Sequence, residues 1–162
     1  MQHSRTQDGT YVLETEQMLA LPVEQVFEFF SDAMNLEAIT PPFLKFRVLT
    51  PAPIDMRVGT LIDYKLSLRG VPIRWRTRIA AWEPPSRFID MQLRGPYKLW
   101  HHEHRFEPMG DETRCIDRVE YRHAGGPLVN KLIVRPDLER IFRYRQHRIT
   151  ELLERVPEPA LV

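Results

Sequence analysis

Residues 137–156 read DLERIFRYRQHRITELLERV, and Leu138, Ile141, Phe142, Ile149, Leu152, Leu153 and Val156 recur along them at three- and four-residue steps. That spacing places them on one side of a helix and makes the side apolar. The opposite face carries Glu139 four residues before Arg143 and Glu151 four before Arg155, the favourable order for helical ion pairs. Asp137 suits the first turn, and Pro157 with Pro159 predicts the stop. Arg145 breaks the apolar stripe, so its guanidinium either runs out along its own stem or meets something polar on the surface the helix covers.

Working back from the helix, the chain supplies that surface as strands. Residues 113–121 place Cys115, Asp117, Val119 and Tyr121 on one side, and residues 97–108 place Trp100, His102, His104 and Phe106 on one side, with His101, Glu103 and Arg105 on the other. A turn at Met109 to Asp111 makes the two a hairpin. Residues 87–94 put Ile89, Met91 and Leu93 opposite Phe88, Asp90 and Gln92, and neither side is clearly the inner one. From Pro72 to Trp82 the alternation is sharp, with Ile73, Trp75, Thr77, Ile79 and Ala81 inward and Arg74, Arg76 and Arg78 facing water beside Asp63. Ile62, Tyr64, Leu66 and Leu68 form the inner face of the preceding strand.

Nearer the start, Tyr11 to Ala20 reads as a strand. Pro22 opens a helix with Val23, Val26, Phe27 and Phe30 on one face, and a second short helix is expected from Asn35 as N-cap, ending at Pro41 and Pro42. Phe43 to Leu49 reads as a further strand. Beyond the sheet, Gly125 and Gly126 lead into helical residues through Leu128, Leu132 and Ile133, and Pro136 is expected to kink that helix or start a new one. Residues 1–10 and 157–162 read as flexible tails around a core of about residues 11–156. The 162 residues suit one domain of α+β class, a curved antiparallel sheet wrapped around the terminal helix.

Composition narrows the function. Hydrophobic residues at 43% and charged residues at 28% are those of a globular protein, and no apolar run approaches the ~20 residues of a membrane span. The polar first ten residues have no secretory h-region, which predicts a cytoplasmic protein. One cysteine, Cys115, excludes an internal disulfide, and a formal charge of +1 without a basic block argues against nucleic-acid binding. Phosphate-binding glycine loops and nucleophile elbows are absent.

Several of these pieces together resemble a known family. They are Asn35-Leu36 with Ile39-Thr40-Pro41-Pro42, Arg74-Trp75-Arg76-Thr77, Phe88-Ile89-Asp90 with Gln92, and Gly95-Pro96-Tyr97. Further on come Trp100-x-His102-x-His104-x-Phe106, Asp117-x-Val119-x-Tyr121, and Leu138 with Ile141-Phe142-x-Tyr144-Arg145. The chain resembles the SRPBCC superfamily of START-like, helix-grip proteins, within it the bacterial polyketide cyclase/dehydrase-like or cell-division-inhibitor-like subgroup. It departs at Ala124-Gly125-Gly126, where the subgroup has a Pro-x-Gly turn, which leaves the pocket unaffected.

The resemblance implies a cavity between sheet and helix. By alternation its lining is Tyr64, Trp75, Thr77, Trp100, His102, His104, Asp117 and Tyr121 on the sheet, facing Phe142 and Arg145 on the helix. Asp90 and Gln92 are either pocket groups or edge residues. His102, His104 and Asp117 admit a structural reading, as a buried cluster hydrogen-bonded with Arg145, and a catalytic one, with Asp117 orienting a proton-transferring histidine. A His-x-His pair with Asp117 also suits a divalent metal, but that spacing arises often by chance, so no metal or cofactor is expected. The leading expectation is a monomer or homodimer that binds a small hydrophobic ligand such as a lipid, polyketide or aromatic metabolite. A cyclase or dehydratase and a regulatory interaction module are the alternatives, and whether the chain is an enzyme stays open at this point.

Overall fold

The structure is a computed structural model and describes residues 1–154. Arg155, Val156, the prolines at 157 and 159 and the expected tail from 157 therefore lie outside the described residues. Its strands are β1 (Gln2–Arg5), β2 (Tyr11–Leu19), β3 (Arg47–Val48), β4 (Leu61–Leu68), β5 (Val71–Glu83), β6 (Arg87–Arg94), β7 (Leu99–Met109) and β8 (Glu112–Arg122). Helix α1 (Val23–Ser31) follows β2; a short turn of helix, α2 (Gly126–Val129), and a π-helical turn at Asn130–Val134 lead into the long α3 (Arg135–Leu153).

The strands form one antiparallel sheet in the order β1-β2-β8-β7-β6-β5-β4-β3. From β4 to β8 the chain runs as a meander of hairpins, and β2 closes against β8, so the first long strand lies beside the last. Helix α3 packs on the concave face with Leu138, Phe142 and Ile149 buried. This is the helix-grip arrangement that the sequence predicts.

Each half of α3 has its own apolar support. Leu138 and Phe142 pack with Leu13, Val119 and Tyr121, and Ile149 packs with Leu19, Val26, Phe27, Phe30, Phe88 and Phe106. Burying one such side chain stabilises the fold by about 2 kcal/mol. Polar clasps fix the helix over β2: Gln17 Nε2 donates to the Gln146 carbonyl (2.8 Å) and Gln146 Nε2 to that of Glu16 (3.0 Å). At its other end Asp137 accepts two hydrogen bonds from Arg69 in the β4–β5 turn, at 2.8 and 2.9 Å. The expected Glu139–Arg143 pair is present at 3.5 Å; Glu151 pairs with Arg148, and its expected pairing with Arg155 lies outside the described residues.

Several local expectations are corrected. Gln2–Arg5 is not a tail: it forms β1, paired along β2 from Gln2–Glu14 to Arg5–Tyr11. The segment after α1 is two 3-10 turns, Ala33–Leu36 and Pro42–Leu44, and its cap is Asp32, whose side chain accepts from Met34 N–H at 2.9 Å. Asn35 instead donates to the Phe29 carbonyl at 2.8 Å. Consequently only Arg47–Val48 of the expected 43–49 strand is extended and paired. In β5 a register shift between Ile79 and Ala81 reverses the alternation, so Trp82 rather than Ala81 packs on Phe27 and Phe88. Pro136 falls in the first turn of α3, where its missing N–H costs little, directly after the π-helical turn. In that lead-in Leu128 and Leu132 are exposed.

Candidate functional site

On β6 the inner face is the one with Phe88, Asp90 and Gln92, because these side chains find buried partners while Leu93 is exposed. With that face settled, three neighbouring strands bring four titratable side chains together. Asp90 on β6 stands opposite His102 on β7, and His104 on β7 stands opposite Asp117 on β8. The hydrogen bonds run along the diagonals: His102 Nε2 lies 2.9 Å from Asp117 Oδ1 and His104 Nε2 3.0 Å from Asp90 Oδ2. His104 Nδ1 also lies 2.8 Å from Asp117 Oδ1, at an angle outside hydrogen-bond geometry.

The two histidines at its centre are buried. His102 and His104 are only 4% and 3% exposed, their ring centroids 3.8 Å apart, and Phe88 stacks on His104 at 4.1 Å. Burial opposes every charge here, and the hydrogen bonds decide where charge survives. For Asp117 burial works upward but is outweighed by the bonds from His102 and His104, which hold the carboxyl well below its ordinary range. Asp90 is likewise lowered against burial, chiefly by His104. Burial and the neighbouring His104 push His102 down, whereas for His104 the two carboxylates outweigh burial and push it up.

Beside the cluster, between the sheet and α3, lies a cavity of about 150 Å³. Its two ends differ in chemistry. One is aromatic: Trp75 and Trp100 meet edge to face at 5.3 Å, and Tyr97 lies 4.7 Å from Trp100, with Leu66, Leu68, Leu138 and Ile141 alongside. The other is polar, with Asp90, His102, Thr77, Tyr64 and Arg145. Trp75 Nε1 donates to Thr77 Oγ1 at 3.0 Å, so its only donor is satisfied within the wall. Burial pushes the Tyr64 phenol well above its ordinary range and keeps it a neutral hydroxyl.

Tyr97 owes its place to a turn. Gln92 Nε2 donates to the Tyr97 carbonyl at 2.7 Å, and the Tyr97 N–H donates back to Gln92 Oε1 at 3.3 Å. A Cβ on Gly95 would come within 2.3 Å of Gln92 Oε1, so the brace requires glycine there.

Of the sequence-predicted residues, Tyr64, Trp75, Thr77, Trp100, His102, Phe142 and Arg145 border this cavity. His104 borders instead a second, smaller cavity of about 40 Å³, which shares Tyr64, Asp90 and Arg145 with the first. Asp117 lies behind the histidines and borders neither cavity. Tyr121 is a core residue rather than a lining one: it packs with Leu13, Val119, Leu138 and Phe142, and its hydroxyl donates to Asn130 Oδ1 at 3.0 Å. Arg145 is half-buried, its guanidinium carbon 5.8 Å from the Phe30 ring centroid and its Nε without a hydrogen-bond partner. The expected pairing of Arg145 with Asp117 and the histidines is therefore corrected: those groups bond to one another and to Asp90, and Arg145 is left facing both cavities.

Asp90 and Tyr97 are the residues that sequence reasoning underweighted. The Phe-x-Asp-x-Gln alternation carried the signal for Asp90, whereas Tyr97 stands in a bend and has no periodicity.

The same architecture occurs in solved structures. The aromatase/cyclase Zhui from Streptomyces sp. R1128 is 16% identical, with 93% of this chain and 98% of that one covered at a TM-score of 0.72. Protein Ms6760 from Mycobacterium smegmatis is 18% identical, with 95% and 97% covered at 0.70. A START superfamily protein from the same organism is 18% identical, with 89% and 99% covered at 0.64. No curated protein matches the chain by sequence. A sheet gripping one long helix is thus common to all three, and the family model described as polyketide cyclase / dehydrase and lipid transport matches residues 19–150, so the chain belongs to that family.

Proposed function

We propose that this protein binds a small, largely apolar, ring-sized molecule carrying an oxygen substituent, held between the sheet and α3. The observation that carries the reading is the two-ended cavity, with an aromatic end at Trp75, Tyr97 and Trp100 and a polar end at Asp90, His102 and Arg145. Apolar contact supplies affinity and a few polar groups set orientation, the usual division in a small-molecule site. A cavity of about 150 Å³ accepts a body on the order of one benzene ring. A longer lipid or polyketide would place only one end inside. Arg145, with a buried unpartnered Nε, meets the oxygen substituent best if that group is anionic or strongly polarised. The test is native mass spectrometry of protein purified from its own host, followed by titration of the stripped protein with benzoate-sized acids and their uncharged analogues, read by tryptophan fluorescence. Tighter binding of the acid supports the reading, and no binding of either series removes it.

A second reading, catalysis, has its own supporting observation. His102 borders the cavity while its Nε2 is held by Asp117 at 2.9 Å, the arrangement of an oriented proton-transfer histidine. The reaction would be a cyclisation or dehydration of a bound carbonyl compound, in which His102 moves the proton and Asp117 holds the ring. Under this reading His102→Ala abolishes turnover of a candidate polyketone and leaves its affinity nearly intact. Unchanged turnover removes it.

A further inference from the structure

We propose that Asp90, His102 and His104 form a binding site for one divalent transition-metal ion, zinc being the ion whose ligand preferences fit best, with Asp117 as the carboxylate that orients both histidines. The proposal does not depend on the ligand-binding reading, because the site is built from protein groups alone.

Donor geometry is the first argument. One ligating atom from each of Asp90, His102 and His104 lies within 4.8 Å of the others. Asp90 Oδ2 stands 3.6 Å from His102 Nδ1 and 3.0 Å from His104 Nε2. Donors about 2.0–2.2 Å from a tetrahedral zinc are ~3.4 Å from each other, so these two separations bracket the value such a site needs. Side chains buried among Phe88, Phe30 and Phe142 are held at that spacing by packing.

Asp117 supplies the second argument. Its Oδ1 is 2.9 Å from His102 Nε2 and 2.8 Å from His104 Nδ1, so it faces, on each ring, the nitrogen that does not face Asp90. A carboxylate only accepts, so His102 Nε2 carries the hydrogen it donates to Asp117 and His102 Nδ1 presents a lone pair, whereas His104 Nε2 carries the hydrogen it donates to Asp90, a proton that a bound ion displaces. Once that proton leaves, two imidazole lone pairs and a carboxylate oxygen converge on one place. Electron-rich groups converge in a buried site only around a proton or a cation. A metal-bound histidine whose second nitrogen donates to a carboxylate is the recurring outer arrangement of zinc sites.

The third argument is access. Asp90 borders both cavities, His102 the larger and His104 the smaller, so an ion among them has an open side toward the space where a ligand sits. Two imidazoles and one carboxylate leave a fourth position for water or a ligand oxygen. Two carboxylates offset the charge of a divalent ion, and Arg145 then leaves an excess of one positive charge that favours an anionic fourth ligand.

The test uses the untagged full chain after chelation. Titration with Zn²⁺ is followed by calorimetry, and Co²⁺ is added as a probe whose visible absorption reports coordination. The proposal expects one equivalent bound, a tetrahedral cobalt spectrum, and a melting temperature raised by the ion. Asp90→Asn and His104→Gln, checked for folding by circular dichroism, lose more than about 100-fold in affinity, and Asp117→Asn loses about 10–100-fold. His147→Ala, on the exposed face of α3, loses nothing. Absence of saturable binding by the wild type overturns the proposal, as does full affinity in both Asp90→Asn and His104→Gln. X-ray absorption of the wild-type zinc form decides the matter without any variant: two imidazoles with oxygen support the site, and a shell of oxygen alone overturns it.

Discussion

Asp117 on β8 accepts a hydrogen bond from His102 on β7 at 2.9 Å, and both side chains are buried. His102 borders the cavity and Asp117 lies behind it. Its contribution is therefore to hold the histidines, and this has a measurable cost when removed. Truncating one member of a buried charged cluster leaves the others desolvated and unpaired, which costs about 3–5 kcal/mol. Asp117→Ala is expected to lower the unfolding free energy by that amount in urea titrations. A loss under about 1 kcal/mol contradicts the packing described for the cluster.

Arg145 behaves oppositely, because nothing among the described residues satisfies its buried Nε. Arg145→Met keeps the stem over Phe30 and removes an imperfectly satisfied charge. Stability is expected to stay within about 1 kcal/mol of wild type, while affinity for an acidic ring compound falls about 10-fold or more, as befits one lost charge-assisted hydrogen bond. Fluorescence titration of both an acid and its uncharged analogue checks this. Equal loss for the two analogues would show that the guanidinium does not read charge.

Gly95 is needed by the brace between Gln92 and Tyr97, where an added Cβ would meet Gln92 Oε1. Gly95→Ala is expected to break that brace, release Tyr97 from the aromatic end and weaken ligand binding, at a stability cost of about 1–3 kcal/mol for the freed polar groups. Gln92→Ala should reproduce the loss of binding. Binding retained in both variants would separate Tyr97 from the site.

Cys115 tests the core from the other side. Its thiol is buried between β2 and β7, and burial pushes its pKa up to about 12. The thiolate is the reactive form, so alkylation by iodoacetamide at pH 8 should be negligible in the folded protein and complete in denaturant. Mass spectrometry after a timed reaction reads the difference. Rapid native labelling would mean that the β7–β8 region opens.

Much of this arrangement was legible before any coordinates, for a physical reason. Strands β4, β7 and β8 each bury one face, and burial imposes alternation, so Tyr64, Trp100, His102, His104 and Asp117 could be assigned inward from sequence. β6 could not: Asp90 and Gln92 share its inner face with Phe88, and polar residues look inward-facing only when their partners on other strands are known. The same difficulty hid that Arg145 stays outside the cluster's hydrogen bonds, since an assignment of faces says which groups approach but not which diagonal bonds form. Tyr121 was correctly placed inward and wrongly placed in the lining, because Leu138 and Phe142 close over it. β1 escaped notice since a short polar edge strand has no buried face to announce it, and the bulge in β5 moved Trp82 inward at a point where the pattern alone favoured Ala81.

The central claim is that the space between the sheet and α3 exists to hold a small molecule. Leu66 borders that space without belonging to the buried core clusters, so Leu66→Trp fills the cavity with little other disturbance. Native mass spectrometry of wild type and Leu66→Trp, both purified from the host, compares them directly. The claim predicts a one-to-one small-molecule adduct on the wild type, displaced by unfolding and missing from Leu66→Trp. A wild type without any adduct that also binds no added ring compound, or an adduct equally abundant on the filled variant, would contradict it.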